Sequence, residues 1–293
     1  MRIGNLFGRL VIRSGAGPDA RLVDVGRASE GRLPSDPAVA YDRWDELVEW
    51  AATRDPAEAD AGAAGTGADV DPAALGAPSP RPRQVFALAL NYRDHAEENR
   101  LEPPEQPSVF TKFPSAVTGP HGDIALPDGN VDWEIELVAV IGRPAHRVAE
   151  ADAWRHVAGL TVGQDISERR TQFAGRPPQF SLAKSFPGFA AMGPWLVTPD
   201  ELDDPDDLEL GCFVNGEQVQ KSRTSQLIFP VPEIVAYLSS IVTLLPGDVI
   251  YTGTPAGVGS LRQPPRFLGP GDELTSYVAG IGEMRHRFVP QDT

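Results

Sequence analysis

The sequence predicts a β-dominated α+β fold, and three observations carry that expectation. Gly and Pro are abundant, at 29 each in 293 residues, which favours many turns and short strands over a helical bundle. Short apolar runs such as "QVFALAL", "VDWEIELVAVIG" and "GDVIYTG" are bounded by turn residues. The regular strand–helix alternation of a doubly wound sheet is missing.

Taken in order, residues 1–52 read as a small N-terminal β-rich domain ending in the helix "DRWDELVEWAA". Residues 53–83 are dominated by Ala, Gly, Pro and Asp, have few large apolar residues, and read as a linker. Residues 84–293 form the main domain, opening with the strand "QVFALALNY". Within it "PEIVAYLSSIV" predicts a helix. Pro232 suits a first helical position, and Ile234, Tyr237, Leu238 and Ile241 share one stripe. "LLPGDVIYTGTPAGVG" and "LGPGDELTSYVAGIGEMRHRF" each turn into a strand.

Composition narrows the function classes. The formal net charge is -15, which argues against nucleic acid as a partner, since phosphate binding wants a basic face. One cysteine, Cys212, excludes an internal disulfide and a cysteine-based zinc site. The N-terminus lacks an unbroken apolar h-region, and no run reaches the roughly 18 apolar residues of a membrane span. A cytoplasmic protein without a membrane partner is expected.

The stretch "VDWEIELVAVIG" places Asp132, Glu134 and Glu136 at alternate positions of an apolar run. As a strand it puts Val131, Trp133, Ile135, Leu137 and Ala139 on one face, and the acids followed by Val138 and Val140 on the other. A solvated face is the plainer reading. Against it, the acidic face continues as valines, and like charges in a row repel unless neutralised. A divalent cation would do so. Glutamates two apart on a strand face are about 6.5 Å apart at Cα, within reach of one ion at about 2.0–2.6 Å per oxygen. Asp165, where the strand "GLTVGQD" ends, is a candidate third ligand or an ordinary turn residue.

Other candidates gather around these. In "NYRDHAEENRLEPPEQP", Asn91 is placed to cap a short helix that Pro103 and Pro104 terminate. His95 and Glu98 share a face of that helix. A carboxylate so placed can orient an imidazole that takes a proton from water, or the pair is an incidental surface contact. Lys184 in "FSLAKSF" and Lys112 in "SVFTKFPS" sit among apolar residues and either snorkel to solvent or meet an anion. The Gly-rich "YTGTPAGVG" is not a P-loop. Gly253 lets backbone approach an anion closely and Thr254 adds a hydroxyl, although a tight hairpin has the same appearance.

Together "NYRDHAEE", "FTKFPSAVTGP", "DWEIELVAVIG", "GQDISERRTQF", "SLAKSF", "VNGEQVQ", "LLPGDVIYTGTPAGVG" and "LGPGDEL" occur in the order seen in the fumarylacetoacetate hydrolase family. The resemblance covers about residues 84–289. It implies a mixed β-sandwich roll, a small N-terminal domain and a homodimer. It implies Glu134, Glu136 and Asp165 as ligands of Mg²⁺ or Mn²⁺, with Ca²⁺ as an alternative. It implies His95 and Glu98 as a catalytic dyad on a lid. Lys184, Arg169 and Gln172 would hold substrate oxygens, Thr254 would grip a carboxylate, and Gly253 and Lys112 are grouped with them as substrate-binding candidates. "LAKS" is similar to the acylpyruvate hydrolase and oxaloacetate decarboxylase branch. "SERR" departs from the more usual "SARD", so Glu168 and Arg170 bear on substrate choice. The expected function is metal-dependent hydrolysis of a C–C bond in an acylpyruvate-like β-diketo acid, a small anionic 2-oxo acid. The alternatives are a decarboxylase, isomerase or hydratase of related 2-oxo acids, or a catalytically silent metal-binding member.

Overall fold

The computed structural model describes residues 1–14, 20–53, 63–66 and 71–291, with the backbone alone described for 63–66. The N-terminal segment supplies strands β1 (Arg2–Leu6), β2 (Arg9–Ser14) and β3 (Arg21–Asp24) and helices α1 (Val25–Ala28), α2 (Pro37–Ala40) and α3 (Trp44–Ala52). Strands β4 (Ala63–Thr66), β5 (Leu75–Gly76) and β6 (Val85–Ala89), helix α4 (Arg93–Asn99), then β7 (Ser108–Thr111), β8 (Val117–Thr118) and β9 (His121–Leu126) follow. The acidic stretch forms β10 (Val131–Asp132) and β11 (Ile135–Ile141). After it come β12 (Val157–Asp165), β13 (Ser167–Glu168), α5 (Arg169–Phe173), α6 (Phe180–Ala183) and β14 (Ala190–Val197). The remainder is β15 (Glu209–Val214), β16 (Glu217–Arg223), α7 (Val231–Ile241), β17 (Val249–Tyr251), β18 (Glu273–Val278) and β19 (Gly282–Pro290).

The architecture is α+β with strands dominant. A long sheet runs β4-β3-β2-β1-β14-β12-β11-β17-β6-β7, with β5 on β1 and β8 on β14. A five-stranded sheet, β16-β15-β18-β19-β9, packs on it, and β10 pairs β13 separately. Between the sheets lies the main core. Ile135, Leu137, Ala139 and Ile141 of β11 meet Leu210, Cys212, Val214, Leu274, Met284 and Phe288 there. The opposite face of β11, carrying Val138 and Val140, packs in a second core with Tyr41, Trp44 and Leu47 of the N-terminal segment. β11 is therefore buried on both faces, which is why its apolar run is nearly continuous. The two faces divide as the alternation predicts.

Three expectations need correction. The N-terminal unit is not separate: β1 pairs antiparallel with β14, Arg2 opposite Val197 and Ile3 opposite Leu196. Residues 71–83 are not a loose linker. β5 pairs with β1, Asn5 Nδ2 donates to the Ala77 carbonyl at 3.0 Å, and Ser79 Oγ donates to the Gly247 carbonyl at 2.7 Å. Composition misses this because a few small contacts pin the segment: hydrogen bonds to backbone carbonyls, and Leu75 and Ala77 buried in the two cores. The rest of the expected linker, residues 54–62 and 67–70, lies outside the described residues. In α7, Ile234 and Leu238 are buried as expected, but Ile241 is 67% exposed at the last helical position. Among the described residues no helix is long and apolar enough to cross a membrane.

One buried group makes acid stability predictable. His286 in β19 is 1% exposed. Its Nε2 faces the Gly119 carbonyl at 3.0 Å, and Nδ1 has no partner among the described residues. Burial pushes its pKa down to about 4, below the roughly 6.5 of an unfolded histidine. The unfolded chain binds the extra proton between these values, so this contribution to stability is complete above about pH 6.5 and is lost as pH falls towards 4. From pH 7 to pH 5 the loss is about 2 kcal/mol. His286→Gln, which keeps a donor but cannot titrate, should show a flatter stability profile over that window in chemical denaturation. Identical profiles would show that another group controls acid sensitivity.

Candidate active site

The ladder that β10 and β11 would form as one strand is interrupted at Trp133 and Glu134. There the backbone N–H of Glu134 donates to Gln164 Oε1 at 2.9 Å, and that of Ile135 donates to Gln220 Oε1 at 3.0 Å. Two buried glutamine amides thus hold the backbone from which Glu134 and Glu136 project. β12 runs beside it and ends at Asp165, whose N–H donates to the Glu134 carbonyl at 3.0 Å. This register brings oxygens of Glu134, Glu136 and Asp165 within 4.8 Å of one another.

Three buried cations surround the triad. Lys184, just after α6, places Nζ 2.7 Å from Glu134 Oε2, Asp165 Oδ2 and Ser167 Oγ and 5.2 Å from the centroid of the Phe110 ring. Arg169 donates through NH2 to Glu134 Oε1 at 2.7 Å, through Nε to Asp132 Oδ2 at 2.9 Å and through NH1 to Gln172 Oε1 at 2.9 Å. Lys112 contacts Asp165 Oδ1. Burial alone would raise the Glu134 pKa, but Lys184 and Arg169 outweigh it and hold the carboxyl at about 2. For Glu136 burial dominates, reinforced by Asp165 and Glu134, and its pKa is pushed well up.

Glu136 carries the test of a metal. Its Oε2 accepts from the Gly253 N–H at 2.7 Å, while its Oε1 is buried with no partner among the described residues. A buried carboxylate oxygen without a donor is costly, and a cation would satisfy it. The donor set is carboxylate oxygen only, as hard divalent ions prefer. The cation-paired carboxylate oxygens keep further lone pairs. The residues present therefore fit a hard divalent cation.

Glu134 of the triad lines a cavity of about 480 Å³. His95, Glu134, Arg169, Gln172, Lys184 and Thr254 supply its polar side. Much of the remainder is apolar, including Leu88, Leu101, Phe110, Phe173, Phe180 and Leu261. His95 Nδ1 lies 3.0 Å from Glu98 Oε2, and Glu98 Oε1 accepts from the Gly257 N–H at 3.0 Å. The same carboxylate thus orients the imidazole and ties α4 to the Gly-rich loop. Asn99 Nδ2 stands 3.2 Å from His95 Nε2.

Six of the predicted site residues line the cavity, and Glu98, Glu136, Asp165, Lys112 and Gly253 do not. Lys112 does not line the cavity; it lies behind Asp165, 2% exposed, with Nζ 5.7 Å from the Tyr251 ring centroid. Gly253 does not line it either. Its N–H fixes Glu136, and at φ +104 a side chain there would meet Asn91 Cβ at 2.7 Å. Asn91 does not cap α4; Tyr92 is the cap residue, and the helix ends at Arg100 in the left-handed conformation, before the prolines. The Asn91 amide instead joins the Phe229 and Thr252 carbonyls, at 3.0 and 2.7 Å.

The "SERR" departure also has a structural account. Glu168 caps α5, accepting from the N–H groups of Arg170 at 2.9 Å and Thr171 at 2.7 Å, and from that of Asn130 at 2.8 Å. It positions Arg169 and Gln172 without facing the cavity. Asp132 accepts from the N–H groups of Gly259 at 2.7 Å and Ser260 at 3.0 Å as well as from Arg169, so it organises the site without joining the triad. Sequence reasoning missed Gln164, Gln220 and Ser167 as organisers. Gln164 and Ser167 flank Asp165, which is a usable signal. Gln220 has no local one, because its partners lie far along the chain.

Residues 84–289 match the family model described as fumarylacetoacetate (FAA) hydrolase C-terminal. The chain belongs to the fumarylacetoacetate hydrolase family. It is 43% identical over 215 residues to "Oxaloacetate tautomerase FAHD2A, mitochondrial" of Bos taurus, covering 73% of this chain and 68% of that protein. The Homo sapiens protein of the same name is 42% identical with the same coverage. Among solved structures, a putative HpcE protein from Mycobacterium smegmatis superposes with a TM-score of 0.90 at 55% identity, each chain covered in full. Maleylpyruvate hydrolase from Sphingobium sp. SYK-6, in complex with manganese (II) ion and pyruvate, does so with a TM-score of 0.81 at 28% identity, again with full coverage of both chains. Relatives in the family thus include hydrolases and tautomerases.

Proposed function

We propose that this protein is a Mg²⁺- or Mn²⁺-dependent hydrolase that cleaves the C–C bond of an acylpyruvate-like β-diketo acid, and that it works as a homodimer. The observation that carries the reading is His95, held by Glu98, standing in the wall of a cavity that Glu134 of the carboxylate triad also lines. A hard divalent ion held by Glu134, Glu136 and Asp165 would supply Lewis-acid stabilisation of negative charge on the oxygens of a 2-oxo acid. The chain's own residues do the rest. Glu98 accepts from Nδ1 of His95 and leaves Nε2 as the base. His95 takes a proton from water, the oxygen adds to the acyl carbonyl carbon, and the C–C bond breaks with its electron pair passing to the pyruvyl fragment. That fragment takes up a proton at carbon. One carboxylic acid and one pyruvate result from one acylpyruvate and one water. Gln172 and Thr254 offer polar contacts to the substrate's anionic end. The apolar wall formed by Leu101, Phe110, Phe173 and Phe180 favours an acyl tail at the other end.

A second reading has its own support. The bovine relative at 43% identity is named an oxaloacetate tautomerase, and a base that activates water can equally move a proton between carbon and oxygen of a β-keto acid. That relative is also named as mitochondrial, a different compartment from the cytoplasmic one proposed for this chain. Screening acylpyruvates, oxaloacetate and ring-cleavage dioates with Mg²⁺ or Mn²⁺ and analysing the products separates the two. The hydrolase reading expects pyruvate and a second acid from an acylpyruvate. Proton exchange of oxaloacetate without acylpyruvate cleavage would put the tautomerase in its place.

A further inference from the structure

We propose that Gln220 is a positioning residue, whose amide turns the Thr254 hydroxyl so that its proton points into the cavity as a donor to an anionic ligand. Gln220 lies in β16 and is 2% exposed. Its Oε1 accepts from the Ile135 N–H at 3.0 Å, and the Cys212 thiol donates to the same oxygen at 3.3 Å. Its Nε2 donates to Thr254 Oγ1 at 2.9 Å and to the Pro255 carbonyl at 2.8 Å. A backbone N–H can only donate and a backbone carbonyl can only accept. The amide is therefore fixed in one orientation, with both of its hydrogens engaged.

The consequence falls on Thr254. Its oxygen accepts from Gln220, so the hydroxyl proton must go elsewhere. Among the described residues no acceptor for that proton is seen, and Thr254 lines the cavity. The neighbouring cations are already engaged: all three protons of Lys184 lie on Glu134, Asp165 and Ser167, and Arg169 is committed to Asp132, Glu134 and Gln172. A hydroxyl whose proton is still available gains importance for an incoming carboxylate. This inference rests on the proposed function only in taking the ligand to be anionic.

Calorimetric titration of oxalate into the Mn²⁺-loaded protein near pH 8 tests it without turnover, with Mn²⁺ affinity measured first on each variant. Thr254→Val should weaken oxalate by about 10- to 100-fold, the range of a hydrogen bond to a charged group, and Thr254→Ser should restore most of it. Gln220→Glu keeps the acceptor for Ile135 but sets an acceptor against Thr254, drawing the proton back. It should lose a similar factor, and the double variant Gln220→Glu/Thr254→Val should be no worse than Thr254→Val alone. Wild-type oxalate affinity in Gln220→Glu, losses that multiply in the double variant, or a loss confined to Mn²⁺ affinity would overturn the assignment. Should Gln220→Glu not fold, unchanged oxalate affinity in Thr254→Val overturns it equally. A protein that shows the expected pattern yet cleaves no acylpyruvate keeps the positioning role and loses the hydrolase reading.

Discussion

Glu136→Gln is expected to lower Mn²⁺ affinity by at least about 100-fold while leaving the fold intact. Changing groups that merely support a metal ligand costs about 10- to 100-fold, so removing a ligand's charge should cost no less. The substitution keeps the shape of the side chain and an acceptor for the Gly253 N–H. It removes a carboxylate that burial, Asp165 and Glu134 together disfavour in its charged form. In the presence of chelator the variant should therefore melt no lower than the wild type. Calorimetry with Mn²⁺ and thermal unfolding in chelator read the two effects separately. Unchanged affinity would remove Glu136 from the metal site. A large drop in melting temperature would mean that the carboxylate is structural.

His95→Ala should abolish acylpyruvate cleavage, by about 10²–10⁴-fold, the usual loss when a general base is removed. Decarboxylation of a β-keto acid such as oxaloacetate needs no base, because carbon dioxide departs without a proton transfer from the protein. Any decarboxylation by the wild type should largely survive in the variant, and that contrast identifies the role. Lys184→Ala should damage both reactions for a different reason. It strips Glu134 and Asp165 of a buried partner, and leaving buried charge uncompensated costs about 3–5 kcal/mol. Its effect should therefore appear in unfolding as well as in rate. Full acylpyruvate hydrolysis by His95→Ala would move the base to another residue.

Much of this was legible in the chain because it depends on local alternation and spacing. The two faces of β11 follow from the order of Glu134, Glu136, Val138 and Val140. His95 and Glu98 meet because residues three apart on a helix are neighbours. What could not be read depends on long-range pairing. Gln220 reaches Ile135 across 85 positions, and Lys112 reaches Asp165 across 53. A lysine in an apolar run shows that a partner is needed, not whether the partner is substrate or protein. For Lys112 the partner is the protein's own Asp165. The expected linker shows the converse limit, since Ala77 and Ser79 are held by hydrogen bonds that composition does not reveal.

Hydrolysis of an acylpyruvate in ¹⁸O-enriched water, with mass analysis of both products, tests water attack at the carboxylate triad most directly. Equimolar pyruvate and a second acid that carries oxygen from water in its new carboxylate are expected, formed with Mg²⁺ or Mn²⁺ and suppressed by excess chelator. Full turnover in excess chelator, or carbon dioxide release with no labelled acid, would contradict that expectation.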